Sequence, residues 1–294
     1  MLCFSKALIT SAFVVFNRVV FLNSIFFCTV VVSTLIFSTL VFSTRLHAND
    51  CQAPSKSQPI AIKRIVDGDT LHLKDGRKVR LIGINTPELG RDGQPDQPLA
   101  KQATATARRL IKGQNPLLLQ IGTQPQDHYG RVLGHIFLAD GRSLEAELLK
   151  QGLGFAISMP PNLALRDCLN QAERQARTAN LGVWAEADYR PLHASTLDRR
   201  SGGFGRYQGE ISRAGTHSKG RYLELNGEIF VQVQAGTATA LDLFSSDDLL
   251  GRRVEIRGWL IARKRTKTQQ RRGLLPFMLK INHTDSLMLC DPDC

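Results

Sequence analysis

The N-terminal segment lacks acidic residues. Residues 1–48 contain no aspartate or glutamate and only three bases: Lys6, Arg18 and Arg45. Within this segment, residues 19–42 are apolar and carry no charge. A sparse basic start, a long apolar run and a polar stretch ending on Ala48 are typical of an export signal, and the run is long enough to span a bilayer. We expect residues 1–48 to be a cleaved signal peptide or a retained membrane anchor. The protein would then be periplasmic, secreted or anchored outside the cytoplasm.

The cysteines lack the histidine or CxxC spacing of a zinc site, which argues against zinc. No lipobox-like pattern of small residues precedes Cys51, so lipidation is not expected either. Beyond the export segment four cysteines remain: Cys51, Cys168, Cys290 and Cys294. An even number in an exported chain suggests disulfides, and three pairings are open. We expect Cys51–Cys168, tying the mature N-terminus to a helix, and Cys290–Cys294, closing a short terminal loop.

Acidic residues are also in the minority in the rest of the chain. Residues 49–294 hold all 26 acids and all but three of the 38 bases, a net charge of +9. Such a surplus favours polyanionic partners such as nucleic acid, although many soluble proteins are basic for colloidal reasons.

The 294 residues, 43% hydrophobic and 22% charged, are enough for about two globular domains. No feature indicates a protein partner.

No internal repeat is visible, but segments rich in proline, serine and glycine divide the chain into two parts. Residues 49–59 are polar and rich in proline and serine, as in a tether. From 60 to 190, turn signals and periodicity predict a mostly antiparallel five-stranded set with about three helices. The predicted strands are 60–66, 69–73, 78–84, 116–122 and 131–138, and the predicted helices are 98–112, 143–150 and 163–179.

The C-terminal part has little helix signal. Residues 191–206 read as a linker, 207–290 as an all-β domain and 291–294 as a tail. Its predicted strands are 207–213, 220–225, 228–234, 252–261 and 275–282. Five short strands in this length fit a small closed barrel of the oligonucleotide/oligosaccharide-binding (OB) type. We expect this barrel to be a nucleic-acid-binding module.

Two polar turns carry groups of interest. VDGDT (66–70) places Asp67 and Asp69 where both carboxylates can point at one hard cation, although an ordinary Asp-Gly hairpin turn is the alternative. DHYGR (127–131) holds an arginine and an aromatic ring, although a solvated hairpin loop is the alternative.

The segment VRLIGINTPE (79–88) puts Arg80 inside an apolar strand that ends on Asn85, Thr86 and Glu88. An edge strand whose arginine extends into solvent is the simple interpretation. In the functional interpretation Arg80 binds a phosphate, Asn85 and Thr86 supply oxygen ligands to a cation, and Glu88 acts on a water molecule. Together the three segments supply what metal-assisted hydrolysis of a phosphodiester requires: oxygens for a cation, a base, and arginines for the phosphate.

In this order, with QGLGFA (151–156) and LGVW (181–184) following, these motifs resemble the staphylococcal nuclease (thermonuclease) family over about 60–187. The resemblance implies a five-stranded OB-type barrel with about three helices. With the second, smaller OB-like barrel that the strand pattern predicts, the expected fold is α+β and mostly β. It also implies one Ca²⁺ ion, DNA and RNA as substrates, and in-line attack of water at phosphorus that leaves 3′-phosphate ends.

The resemblance implies a role for each matching residue. Asp69 would be the principal calcium ligand, Thr86 would offer its backbone carbonyl, and Asp67 would lie just behind them. Glu88 would orient or deprotonate the attacking water, and Arg80 and Arg131 would bind the phosphate. Tyr129 would lie beside the terminal phosphate of the nucleotide.

Three positions depart from the family pattern. Asn85 stands where a second ligand aspartate is familiar, which predicts weaker calcium affinity because one negative charge is lost. His128 replaces a familiar lysine, and the stretch near Ile157 and Ser158 lacks a substrate-stacking tyrosine. These differences affect the expected substrate preference more than the expected catalysis.

The second part of the chain has a strongly basic segment, ARKRTKTQQRRG (262–273), in a probable hairpin loop. Its bases are Arg263, Lys264, Arg265, Lys267, Arg271 and Arg272. The segment is either a patch that contacts phosphates and concentrates substrate or a solvated loop without function.

At the level of the whole protein, the alternatives to a nuclease are a catalytically weak nucleic-acid-binding protein of the same fold and an envelope protein that binds polysaccharide.

Overall fold

The structure is a computed structural model that describes residues 51–234 and 245–290. Within these residues, no helix combines the length and apolar character needed to cross a membrane. The predicted signal or anchor, including residues 19–42, lies outside the described residues, as does the tail 291–294.

The N-terminal half of the described chain contains eight short strands and three helices. The strands are β1 (Gln58–Ile60), β2 (Ile62–Ile65), β3 (Thr70–Leu73), β4 (Lys78–Leu81), β5 (Ile84–Asn85), β6 (Leu117–Gln126), β7 (Val132–Phe137) and β8 (Phe155–Ala156). The helices are α1 (Ala100–Ile111), α2 (Leu144–Lys150) and α3 (Arg166–Thr178), with 3₁₀ turns at Gly182–Trp184 and Ala187–Tyr189. The predicted strands and helices of this half are therefore present, with ends shifted by a few residues.

Six of these strands form one sheet in the order β1-β6-β7-β4-β3-β2, with β4 and β7 parallel. The two edge strands, β1 and β2, are consecutive along the chain and separated by Ala61 alone. The chain itself thus joins the two edges, and the sheet curls around a core. The core includes fully buried leucines and isoleucines such as Leu71, Leu81, Leu119 and Ile136.

Helices α2 and α3 cover this core. Ser143 caps α2 by accepting a hydrogen bond from the Ala146 N–H, and acidic Glu145 and Glu147 occupy the first turn, where the helix dipole favours negative charge. Leu148 of α2 and Leu169 of α3 are both buried in the core. Local capping and an apolar face therefore explain why this segment is helical.

The predicted Cys51–Cys168 disulfide is present and joins the start of the described chain to α3. Residues 51–59, predicted as a tether, also make ordered contacts. Gln52 forms a β-bridge with Arg142, and Gln58 pairs with Leu119 of β6. The predicted partner of Cys290, Cys294, lies outside the described residues, so that second pairing stays a prediction.

The C-terminal half forms a second sheet around its own core. Its strands are β9 (Leu192–His193), β10 (Gly203–His217), β11 (Gly220–Leu225), β12 (Ile229–Gln234), β13 (Arg253–Ala262), β14 (Phe277–Ile281) and β15 (Leu287–Cys290). Strands β10, β11, β12, β14 and β13 pair in that order, and β13 pairs again with β10, which closes a five-stranded barrel. Strands β12 and β14 are parallel. This closed barrel matches the small barrel that strand spacing predicts.

Two short helices of this half have no counterpart in the prediction. They are α4 (Ser246–Leu249) and α5 (Lys267–Arg271), and each begins with a capping box, on Ser245 and Thr266 respectively. The basic segment predicted as a plain hairpin loop therefore contains one helical turn. The predicted linker 191–206 is also structured, because it holds β9, a 3₁₀ turn at Ala194–Thr196 and the start of β10, with Ala194 fully buried.

The two barrels contact each other through polar and aromatic side chains. Arg257 of β13 donates a 2.6 Å hydrogen bond to Glu173 of α3, and both side chains are nearly buried. Asp285 accepts hydrogen bonds from Ser158 (2.6 Å) and Asn170 (2.8 Å). These contacts hold the second barrel against α3 and against the segment between β8 and α3.

Candidate active site

The turn between β2 and β3 brings Asp67 and Asp69 into the interior. Asp67 is 1% exposed and Asp69 is fully buried. A Cβ atom at Gly68 would lie 2.7 Å from the Thr86 hydroxyl oxygen, so glycine is needed here for the turn to approach the segment after β5.

Asp69 is held by hydrogen bonds from the 84–88 segment. Its Oδ2 accepts from the backbone N–H of Thr86 at 2.8 Å and from the Thr86 hydroxyl at 3.1 Å. Its Oδ1 accepts from the Thr70 hydroxyl and lies 3.2 Å from Nε of Arg80. The two motifs that are about twenty residues apart in sequence therefore meet at this carboxylate.

Arg80 is not an edge-strand residue extended into solvent. Its strand, β4, lies between β3 and β7, and its side chain is 12% exposed. Nη1 donates to the carbonyl oxygens of Leu81 (2.7 Å) and Ile84 (2.8 Å), and Nη2 donates to Oδ1 of Asn85 (3.1 Å). The simple interpretation of this segment is therefore wrong, because the cation is held by oxygens of its own chain.

Glu88 completes a group of three carboxylates. Oxygen atoms of Asp67, Asp69 and Glu88 all lie within 4.8 Å of one another. The Glu88 side chain as a whole is exposed, but loss of hydration around its carboxyl, followed by the negative charges of Asp69 and Asp67, raises the pKa of Glu88 to about 7. Burial and the charge of Asp69 also raise the pKa of Asp67. Arg80 and Arg91 lower the pKa of Glu88 but do not cancel this shift, so the repulsion among the three carboxylates is only partly offset.

This donor set fits a hard divalent cation. Calcium prefers carboxylate and carbonyl oxygens, and three carboxylates this close repel one another unless a proton or a cation lies among them. Asn85, predicted as a ligand, directs its amide oxygen at Arg80, and the Thr86 hydroxyl is engaged by Asp69. Their roles as metal ligands stay predictions.

Arg131 lies apart from the carboxylates in its described contacts. Its Nε donates to Oδ2 of Asp127 at 2.7 Å, and the backbone N–H groups of Tyr129 and Arg131 donate to Oδ1 of the same aspartate. Strand β7 runs parallel to β4, and Leu133 is the register partner of Arg80. The predicted phosphate-binding arginine is therefore two residues before that partner and is oriented by Asp127.

The two predicted ring residues of this turn are on the surface. Tyr129 is 75% exposed, its ring centroid lies 3.7 Å from that of His128, and the Arg131 guanidinium lies 5.6 Å from its centroid. An exposed ring beside a cation can contact a nucleotide, and this role also stays a prediction.

Sequence reasoning missed Arg91. Its Nη2 donates to Oδ2 of Asp67 at 3.2 Å, while 62% of its side chain is exposed. Arg91 therefore supplies a second guanidinium at the cluster, beside that of Arg80. Arg91 lies three residues after Glu88 in a loop rich in glycine and aspartate. That position could have pointed to it, but the composition of the loop is typical of an ordinary polar turn.

The predicted basic patch lies between β13 and β14 in the second barrel. Its six bases are on and around α5, and the Arg265 guanidinium donates to the carbonyl of Leu274. The patch therefore belongs to a different barrel from the carboxylate cluster.

Comparison with known proteins identifies the family of this site. The family model described as staphylococcal nuclease homologue matches residues 78–186, which include Arg80, Glu88 and Arg131. A thermonuclease from Staphylococcus intermedius is 35% identical over 132 residues, which cover 44% of this chain and 77% of that protein. The chain belongs to the staphylococcal nuclease family. It is a nuclease, a hydrolase of phosphodiester bonds.

Further relatives of this staphylococcal nuclease family member match a similar share of the chain. A thermonuclease from Staphylococcus hyicus is 31% identical, with 45% of this chain and 78% of that protein covered. Endonuclease YncB from Bacillus subtilis is 30% identical, with 44% of this chain and 63% of that protein covered. The cluster of Asp67, Asp69 and Glu88 beside Arg80 is thus the candidate active site of a nuclease.

Proposed function

We propose that this nuclease is an exported, calcium-dependent endonuclease that hydrolyses DNA and RNA with low sequence specificity. The observation that carries the proposal is the convergence of the Asp67, Asp69 and Glu88 carboxylates within 4.8 Å of one another, with Arg80 beside them. The names of the related thermonucleases and endonucleases support the same substrate class.

Asp69 would hold the calcium ion, with Asn85 and Thr86 as further oxygen donors and Asp67 just behind them. A bound cation would supply positive charge against the negative charge that develops on the phosphate oxygens. Because calcium also favours the ionised form of a nearby carboxyl, it would complete a pocket in which Glu88 is charged at neutral pH.

Glu88 would take a proton from the attacking water. Without a cation the pKa of Glu88 is raised to about 7. A bound cation would keep the carboxyl ionised, and an ionised carboxylate can accept the proton. Water would attack phosphorus in line, the 5′ oxygen would leave, and the product would carry a 3′-phosphate.

Arg80 and Arg131 would bind the phosphate. Three N–H groups of Arg80 donate to protein oxygens and its Nε lies against Asp69. A guanidinium has five N–H donors, so one N–H on Nη2 remains for a phosphate oxygen. The one described hydrogen bond of the Arg131 guanidinium runs from Nε to Asp127. Because its other N–H groups have no described partner, Arg131 would supply the larger share of the phosphate contact.

The Cys51–Cys168 disulfide supports export, because disulfides persist in oxidising compartments and are rare in the cytosol. We propose that residues 1–48 direct the chain across the membrane, where it is periplasmic, secreted or anchored through residues 19–42.

The proposal is tested by incubating the purified protein with supercoiled plasmid and with a structureless RNA, with calcium and then with a chelator. We expect both substrates to be cut with calcium and to stay intact with the chelator. Because the proposed DNA products carry 3′-phosphates, a polymerase should extend them only after treatment with a phosphatase. Binding without cutting under all conditions would contradict the proposal and favour the catalytically weak nucleic-acid-binding protein.

A further inference from the structure

The outer surface of the second barrel carries a ladder of flat rings. Tyr222 on β11 and Phe230 on β12 are half-buried, and His217 at the end of β10 is exposed. Their neighbours along the strands, Leu223 and Val231, are fully buried in the barrel core. Because side chains alternate across a strand, the three rings point away from the core.

These rings are close to parallel. The centroids of Tyr222 and Phe230 are 5.5 Å apart at an interplanar angle of 18°, and those of His217 and Tyr222 are 5.9 Å apart at 19°. The Arg263 guanidinium carbon lies 5.2 Å from the Phe230 centroid. We call this set, His217, Tyr222, Phe230 and Arg263, the ring ladder. The three rings lie beside one another, with the His217 and Phe230 centroids 6.3 Å apart, and the Arg263 guanidinium adjoins Phe230.

The ring ladder continues into the basic segment through Arg263. This residue also lines a groove with Arg199, Lys264 and Arg265. The segment 263–276 between β13 and β14 has six bases and no acid. Burial and the neighbouring charge of Arg265 lower the pKa of Arg263, so an anion bound there would relieve a repulsion.

The ring ladder lies at a recognised binding region of this architecture. Strand order β10-β11-β12-β14-β13-β10 makes β11 and β12 the second and third strands of the closed barrel. Barrels of the OB type bind oligonucleotides on the face of these two strands and through the loops that follow the first and fourth strands. His217 begins the first of these loops, and the basic segment is the second.

We infer that the ring ladder and the basic segment together form a single-strand nucleic-acid site, in which unpaired bases stack on the Tyr222 and Phe230 rings while Arg263 and its basic neighbours contact the phosphates. This inference rests on the proposed function, because it names where the nuclease would hold a strand outside its active site. Stacking tolerates any base and needs the bases unpaired, so the site favours single strands over duplex.

A saccharide could also lie on exposed rings, but it would leave the six bases without an anion to contact. A site for a neutral sugar needs no such charge, and the binding of a sugar would be insensitive to salt. The coincidence of rings and bases therefore favours a polyanion that also has flat faces.

The test uses the full chain in the presence of a chelator, with the integrity of the probe checked by gel. Fluorescence anisotropy measures Kd for a labelled 12-nucleotide oligothymidylate, for the same length of abasic oligodeoxyribonucleotide, and for a 12-base-pair duplex. We expect the oligothymidylate to bind more tightly than both other probes, since only it offers accessible bases.

The Phe230→Ala variant separates stacking from charge. We expect it to weaken oligothymidylate binding by about 5- to 150-fold and to leave abasic binding nearly unchanged. Phe230→Tyr keeps a ring at this position and should retain the parent Kd. Unchanged abasic binding by Phe230→Ala itself excludes a general loss of folding. Tyr222→Ala should behave as Phe230→Ala does.

The double variant Lys264→Ala and Lys267→Ala tests the phosphate contacts. Both lysines are exposed, and their loss should weaken all three probes and reduce the salt dependence of binding. Arg200→Ala, at a 93% exposed arginine paired with Asp198, is the matched control and should change no Kd.

Equal affinity for abasic and base-bearing strands, or an unchanged Kd in Phe230→Ala and Tyr222→Ala, would overturn the inference. Salt-insensitive binding of a neutral oligosaccharide at the rings would also overturn it. Because binding is measured without calcium, a nuclease that cuts normally but fails these tests refutes the ring-ladder site alone, whereas binding without any cutting refutes the proposed function alone.

Discussion

At the scale of single residues, Glu88 differs from an ordinary surface carboxylate. Partial burial raises the pKa of its side chain to about 7, and the charges of Asp69 and Asp67 add to the effect. Arg80 and Arg91 oppose the shift without cancelling it. In the absence of a cation, Glu88 is therefore neutral below about pH 7 and charged above it.

This titration predicts that calcium and a proton compete for the cluster. As pH falls below about 7, Glu88 gains a proton and calcium must displace it, so the calcium Kd should rise by up to about tenfold for each pH unit. Isothermal titration calorimetry between pH 5.5 and pH 8 measures this. In Glu88→Gln the step near pH 7 should be absent, and a calcium Kd that is flat with pH in the parent protein would contradict the prediction.

The sequence alone was enough to find the residues that meet at the cluster. Asp67, Asp69, Arg80 and Glu88 stand out because a carboxylate or a guanidinium is unusual beside apolar strands and a tight turn. Arg91 and Asp127 did not stand out, because each lies in a polar turn where a charged residue is ordinary. Their contacts, with Asp67 and Arg131 respectively, depend on where the loops fold.

At the scale of elements, strands bounded by turn signals were predictable and the path of the chain around them was not. Alternation and Asp-Gly turns located β2, β3 and β4. The split of the first strand into β1 and β2, which pair with different neighbours, depends on barrel closure rather than on local pattern. The capping boxes of α4 and α5 are visible in the sequence, but helices this short have no apolar periodicity to reveal them.

The contact between α3 and β13 predicts a measurable coupling of the two barrels. The side chains of Glu173 and Arg257 are 11% and 12% exposed. Arg257→Ala would leave the Glu173 carboxylate buried with a single described donor, the Ala156 N–H. We expect the free energy of unfolding in urea to fall by about 3–5 kcal/mol.

The matched control for this prediction is Arg200→Ala. Arg200 forms an ion pair with Asp198 that is mostly exposed, so its loss should cost within about 1 kcal/mol. Equal stabilities for the two variants would show that the contact between α3 and β13 contributes nothing to folding.

At the scale of the whole molecule, the chain joins a catalytic barrel to a second barrel of the same strand order. In each barrel two strands pair in parallel, β4 with β7 and β12 with β14. No internal repeat is visible in the sequence because the shared feature is strand order, which many sequences can satisfy. The carboxylate cluster belongs to one barrel, and the basic segment to the other.

The disulfide closes most of the catalytic barrel into one loop. Cys51 and Cys168 are 117 residues apart in sequence, and a cross-link across a loop of this size lowers the entropy of the unfolded chain. Replacing both with serine should therefore reduce the free energy of unfolding by about 2–5 kcal/mol. Urea denaturation of the parent and of the double variant measures this, and coincident unfolding curves would contradict the expectation.

The central claim is that Glu88 acts as the base beside a bound cation. Its most direct test is the single-turnover rate of cleavage of a labelled oligonucleotide by Glu88→Gln at saturating calcium, with Glu228→Gln on the second barrel as the matched acid-to-amide control. We predict a rate at least about 10²-fold below that of the parent for Glu88→Gln, and the parent rate for Glu228→Gln. A Glu88→Gln rate equal to that of the parent would contradict the account.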